Sequence, residues 1–265
     1  MKTVIPKPLA LLSFLMTLAT ANAQLPLTVG ETIIFNETFT DNQNEWSNVA
    51  IVNGKGTASS KQAKIENGIW TPSIDSDGSG VSSTTTFEAL DLSKGPLSIY
   101  MLVNIEDILN NPAQARFGID LTGKGGTYSS KFVFQIEPGD GLAKQFSYLQ
   151  YRNEEGAGVT DNLDKTHATG IITDPQAFYS FKLTITHAVD GFANIQAYYY
   201  DAQRATYFPF PSETHGTNSV LATTGKGEDK GLFTSLTLSS RNGSSNASGS
   251  NAAKFKQVVI TQTTP

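Results

Sequence analysis

The sequence predicts an all-β protein made of two packed antiparallel sheets. Three observations carry that expectation: strand-length runs alternate apolar and polar residues with a two-residue period, Asn/Asp/Gly/Pro signals separate them, and helical periodicity is nearly absent. Cysteine is absent too, so a domain of this length must hold itself together by its core rather than by disulfides.

The chain has 265 residues. Its first 23 residues read as a secretory signal: Lys2 and Lys7 supply the charged region, Leu9 to Leu18 the apolar run, and Ala21-Asn22-Ala23 a small-x-small cleavage site. The run is too short for the roughly 20 apolar residues of a membrane span. The expectation is therefore a cleaved signal over 1–23, a single domain over 24–265, and a secreted or periplasmic location without membrane insertion. The net charge of −5 becomes more negative once the signal, with two Lys and no acid, is removed, which argues against nucleic acid as a partner.

Glu31–Phe39 and Trp46–Val52 read as strands around the turn-rich Asp41–Asn44, and Ala63–Trp70 as two strands broken at Asn67-Gly68. The segment Asp75–Gly80 has the paired aspartates of a calcium loop, but Thr86 stands where the EF-hand requires Glu. It is read as a plain turn, and no cofactor is expected. Val81–Phe87, Leu97–Ile105, Ala115–Thr122 and Lys131–Glu137 follow as strands, with Leu102 breaking the alternation of its run. Ile105–Asn110 is the one modest helical candidate. Lys144–Arg152 is strand-like with apolar residues on both sides, so no inward face is assigned.

Two long connections, Asn153–Ala177 and Gln203–Gly231, flank the clearest pattern in the chain, the hairpin Phe178–Asp201. Tyr179, Phe181, Leu183 and Ile185 alternate with polar residues, Asp190-Gly191 supplies the reversal, and Ala193, Ile195 and Ala197 oppose Gln196, Tyr198 and Tyr200. Within the second connection, Ser219–Ala222 is a candidate short strand. Leu232–Ser239 alternates with Leu232, Leu236 and Leu238 inward, Arg241–Ala253 is a Gly/Ser/Asn run carrying glycosylation sequons, and Lys254–Thr263 closes the sheet beside the N-terminal strand.

The opening FNETFTDNQNEW, the hairpin FYSFKLTITHAVDGFANIQAYYYD and the closing FKQVVIT resemble the concanavalin A-like lectin/glucanase superfamily and, within it, laminin-G-like domains. The resemblance implies a jelly-roll sandwich with one concave, solvent-facing sheet that binds polysaccharide or glycan.

Residues opposite the apolar positions then make the candidate contacts: Arg116, Gln135, Glu137, Gln196, Tyr198 and Tyr200. Tyrosine faces stack on pyranose rings, and amide, carboxylate and guanidinium groups bond sugar hydroxyls. A solvated sheet face with tyrosines chosen for strand propensity has the same pattern.

Catalysis has weaker support. A retaining glycosidase needs two carboxyl groups about 5 Å apart, and the Glu-x-Asp-x-x-Glu strand of the superfamily's glucanases is missing, which leaves Asp120 with Glu137 as the candidate pair. Gln135-Ile136-Glu137 resembles the Gln-Ile-His strand of alginate lyases with Glu137 in place of the histidine. His167, His187 and His215 have no metal-ligand spacing. The reading is an exported non-catalytic glycan-binding sandwich, with a divergent lyase or hydrolase, and a structural or adhesion module of the cell envelope, as alternatives.

Overall fold

The computed structural model describes residues 25–51, 62–72, 80–106, 115–124, 131–138, 145–152, 157–162, 174, 176–189, 191–211, 215–225, 227–242 and 253–264. The calcium-like residues 75–79, the helical candidate beyond Glu106, His167 and the Ser/Asn-rich 243–252 lie outside them. Sixteen strands occur among the described residues. The first eight are β1 (Thr32–Glu37), β2 (Val49–Ile51), β3 (Ala63–Glu66), β4 (Ile69–Pro72), β5 (Val81–Asp91), β6 (Leu97–Asn104), β7 (Ala115–Gly123) and β8 (Lys131–Pro138). Then come β9 (Gln145–Arg152), β10 (Gly158–Asn162), β11 (Phe178–His187), β12 (Phe192–Asp201), β13 (Thr206–Pro209), β14 (Val220–Thr223), β15 (Leu232–Asn242) and β16 (Lys254–Gln262).

They form two sheets. Ten strands run in the order β13-β12-β11-β6-β16-β4-β3-β2, with β1 also on β16 and β14 on β12; six run in the order β10-β9-β8-β7-β15-β5. Every pairing is antiparallel except β2 with β3. No described helix is long and apolar enough to cross a membrane.

The core between the sheets takes one side of each strand. Phe181, Leu183, Ile185, Ala193, Ile195 and Ala197 of the hairpin meet Phe117, Ile119, Leu121, Leu236 and Leu238 of the six-stranded sheet in one buried cluster. Within the hairpin the register is Ile185 against Ile195 and Leu183 against Ala197, as its alternation predicts, and Gly191 turns the chain with φ +81°. The β3–β4 turn uses Asn67 and Gly68 at φ 54° and 73°, the paired left-handed conformation of a type I′ hairpin. Aromatic contacts cross the sandwich: Phe255 of β16 meets Phe117 of β7 with centroids 6.2 Å apart, and Trp70 of β4 at 5.3 Å. The Trp70 indole also needs a buried acceptor, and its Nε1–H donates to Ser83 Oγ of the other sheet at 3.0 Å.

The first loop closes on a buried carboxylate. Glu37 accepts from the Phe39 amide, from Asn44 Nδ2 at 2.8 Å and from Trp46 Nε1 at 2.7 Å, which fixes the Asp41–Asn44 turn region against the sheet.

Three expectations change. In β15 the inward residue is Phe233, not Leu232, because a bulge between Phe233 and Ser235 shifts the phase, so an odd position and the even Leu236 both face inward. A bulge between Phe255 and Gln257 has the same effect in β16. The two long connections hold two strands that the pattern did not single out, β10 and β13, whereas β14 is the short strand expected at Ser219–Ala222. For the ambiguous Lys144–Arg152 run, Leu149 and Tyr151 join the core.

Because Phe255 ties Trp70 to Phe117 across the layers, Phe255→Ala is expected to cost about 3–5 kcal/mol. Urea unfolding should show this as a lowered midpoint with an unchanged slope.

Candidate functional site

The outer faces of the two sheets are built differently, and the six sequence-predicted contacts divide between them. Arg116 lies on β7, and Gln135 and Glu137 lie on β8, in the six-stranded sheet; Gln196, Tyr198 and Tyr200 lie on β12 in the ten-stranded sheet. A single groove shared by all six is thus excluded by the topology. Alternation assigns each strand a core side, but it carries no information on which sheet the strand joins.

On the six-stranded sheet, register sets polar positions in lines across the strands. Since directly paired residues share a face, one line runs Ser82, Ser239, Gly118, Gln135, Tyr148, Asn162. The next runs Thr84, Thr237, Asp120, Val133, Gln150, Thr160, and in it the Thr84 and Thr237 hydroxyls bond at 2.8 Å. Arg116 is registered against Arg241 one step beyond the first line. Gly118, at the centre, brings no side chain to the line. The pairing also separates the carboxylate candidates. Asp120 lies opposite Val133, and Glu137 is four residues further along β8, about 13 Å at roughly 3.3 Å per residue.

On the ten-stranded sheet the outer face is covered rather than open. All eight residues of β6 are buried, because Leu25 to Glu31 folds across the side away from the core. Leu25, Tyr100, Leu102 and Val259 form a second, smaller hydrophobic cluster there, with Leu27, Phe178 and Tyr207 packed against it. The break in alternation at Leu102 was the sequence signal of this cover.

Beside that cluster lies a buried polar group that sequence patterning did not single out. Glu31 Oε1 lies 3.3 Å from Lys182 Nζ, with both side chains at most 10% exposed. Ser98 Oγ donates to Oε1 at 3.0 Å, and Tyr100 Oη and Thr261 Oγ1 donate to Oε2 at 2.5 and 2.6 Å. Lys182 Nζ also donates to Thr28 Oγ1 at 3.0 Å and sits 4.9, 5.8 and 5.6 Å from the ring centres of Tyr100, Tyr198 and Tyr207. Burial by itself would raise the Glu31 carboxyl, but the Thr261 and Tyr100 hydrogen bonds, the Lys182 charge and the Ser98 hydrogen bond together hold it below its ordinary value. Burial pushes the Tyr207 phenol well up, against the opposing Ser180 hydrogen bond, so it stays protonated.

A surface cleft of about 510 Å3 opens next to this group, lined by Pro26–Thr28, Lys182, Tyr198, Tyr200 and Ala205–Tyr207. Two of the predicted contacts, Tyr198 and Tyr200, line it. Gln196 does not: it is 8% exposed, and its Nε2 donates at 3.4 Å to the carbonyls of Ala197 and Phe210. Among the described residues no three His, Asp or Glu are grouped as a metal site.

No protein-family model matches the chain, and no curated protein matches it in sequence. Solved structures do match. An endo-1,3-beta-glucanase from Streptomyces sioyaensis superposes with a TM-score of 0.54 at 13% identity, over 90% of this chain and 99% of that one. A Bacillus licheniformis beta-glucanase, at 11% identity, covers 88% of this chain and 99% of its own with a TM-score of 0.43. The carbohydrate recognition domain of Emp47p, at 10% identity, covers 76% and 86% with a TM-score of 0.37. The first of these is similar enough to define the architecture: the chain has the concanavalin A-like lectin/glucanase fold. This fold is shared by carbohydrate-active enzymes and lectins.

The lowered Glu31 carboxyl sets the sign of an acid response. The folded state favours ionised Glu31, so its contribution is complete above the ordinary value of 4.5 and is lost as the pH falls through the lower folded value. Urea midpoints from about pH 6 to about pH 3 should therefore fall less steeply for Glu31→Gln than for the wild type. At neutral pH, Lys182→Met leaves Glu31 buried without its cation and should cost about 3 kcal/mol, partly restored by adding Glu31→Gln.

Proposed function

We propose that the chain is an exported, non-catalytic carbohydrate-binding β-sandwich that meets polysaccharide on the outer face of its six-stranded sheet. The observation that carries this reading is the registered polar line Ser82, Ser239, Gly118, Gln135, Tyr148, Asn162. It offers hydroxyl, amide and aromatic positions along a strip with a glycine at its centre. Arg116 and Glu137 flank this strip at their register positions, adding charged partners for sugar hydroxyls. The structure first compared is an endo-1,3-beta-glucanase, which motivates β-1,3-glucan as the first polysaccharide to try. Export follows from the signal-like 1–23.

The backbone supports binding without turnover. Asp120 and Glu137 are separated by about 13 Å along the strands, far from the roughly 5 Å between the carboxyl groups of a retaining pair. In the Gln135-Ile136-Glu137 strand the position of the lyase histidine holds a carboxylate.

Affinity electrophoresis in laminarin, mixed-linkage β-glucan and alginate tests the reading. Retardation by at least one polysaccharide is expected, with affinity lowered about tenfold or more in an Arg116→Ala/Gln135→Ala double variant. Reducing-end and unsaturated-product assays on the same polysaccharides should show no turnover. Product formation that Glu137→Gln abolishes would replace this reading with an enzymatic one.

A further inference from the structure

The covered sheet carries a cleft that the six-stranded face does not share. Tyr198 and Tyr200 project from β12 and Tyr207 from β13; Tyr200 and Tyr207 stand edge to face with centroids 5.1 Å apart. With Lys182 and the N-terminal Pro26–Thr28 they enclose the cleft of about 510 Å3, inside the range of about 300–1,000 Å3 typical of small-molecule sites. We propose that this cleft is a second carbohydrate site, on the opposite side of the sandwich from the six-stranded face, and that it selects neutral over acidic sugars.

Four features argue for it. First, Tyr198 and Tyr200 are half-buried, so their rings are held in place while still reaching the cleft. A fixed aromatic ring stacks on the apolar face of a pyranose at little entropic cost. Second, neither phenol hydroxyl forms a hydrogen bond within the described residues, which leaves both to donate to or accept from sugar hydroxyls. Third, Lys182 is already neutralised. Two of its three donors go to Thr28 and Glu31, and its ammonium rests against Tyr100, Tyr198 and Tyr207. One N–H remains for a ligand oxygen, but the Lys182–Glu31 pair offers no net charge to a uronate or phosphate. Fourth, the mixed lining of phenols, an ammonium and Thr28 and Thr206 suits a polyhydroxylated ring better than a hydrocarbon chain, which would strand those polar groups.

The ligand class is shared with the proposal for the six-stranded face, but the residues are not, so the two stand or fall separately. Isothermal titration of the mature chain with laminarihexaose, cellohexaose and trigalacturonate tests the cleft, using wild type, Tyr198→Ala, Tyr200→Ala, Tyr200→Phe and the Arg116→Ala/Gln135→Ala double variant. Tyr207 is left intact because it packs on the second hydrophobic cluster.

A neutral hexasaccharide should bind with affinity weakened about tenfold in Tyr200→Ala and in Tyr198→Ala, by less in Tyr200→Phe, and not in the Arg116/Gln135 variant at this site. Trigalacturonate should bind more weakly than either. Unchanged affinity in both tyrosine-to-alanine variants, or no binding of either neutral hexasaccharide, overturns the cleft proposal while leaving polysaccharide retention by the six-stranded face intact. Preferred binding of trigalacturonate overturns the selectivity. Gel retention unchanged in the Arg116/Gln135 variant, with tyrosine-dependent titration preserved, overturns the six-stranded reading and leaves the cleft.

Discussion

Burial of β6 on both faces is the constraint on which the rest of the structure depends. Leu97, Ile99, Met101 and Val103 belong to the main core, whereas Tyr100 and Leu102 belong to the smaller cluster beneath Leu25–Glu31. A strand enclosed on two sides cannot leave a polar atom without a partner, since a buried donor or acceptor with none costs more than a typical hydrogen bond contributes. Ser98, Tyr100 and Asn104 therefore all have partners: Glu31, Thr28 with Glu31, and the Ala177 carbonyl. The N-terminal lead is the price of that enclosure, and the Glu31–Lys182 pair is where it is fastened.

That enclosure makes the two outer faces unlike each other. The six-stranded sheet presents rows of Ser, Thr, Gln and Tyr positions in register, with a glycine at the centre. Across the sandwich, the lead covers the middle of the ten-stranded sheet, and its residues Pro26–Thr28 wall a cleft with the tyrosines of β12 and β13. A broad polar strip suits an extended polymer, and a walled cleft suits a short piece of one. Both arise from the same ordering of strands about a single core.

Much of the fold was legible because alternation is a local signal. The hairpin β11–β12, the Asn67-Gly68 turn and the pairing of β16 with β1 all follow from residues within a few positions of each other or from end-of-chain patterning. Where bulges intervene, the local signal misleads. Leu232 fits the period of its run, yet Phe233 occupies the core because one extra residue reverses the phase. Short edge strands such as β10 and β13 carry too few residues to establish a period, so they were hidden inside polar connections.

The sequence by itself determined the all-β class, the core side of most strands and the absence of disulfide support, since these depend on composition and on neighbours two residues apart. Only the tertiary structure decided how the candidate contacts group. Arg116 and Tyr198 have equivalent polar positions in their strands but end on opposite sides of the sandwich, because sheet membership is set by pairings between residues far apart in the chain. For the same reason Glu31, the first residue of the opening strand-like run, became the partner of Lys182 across 151 residues. No local pattern encodes a contact of that range; packing selects it once both faces of β6 must be covered.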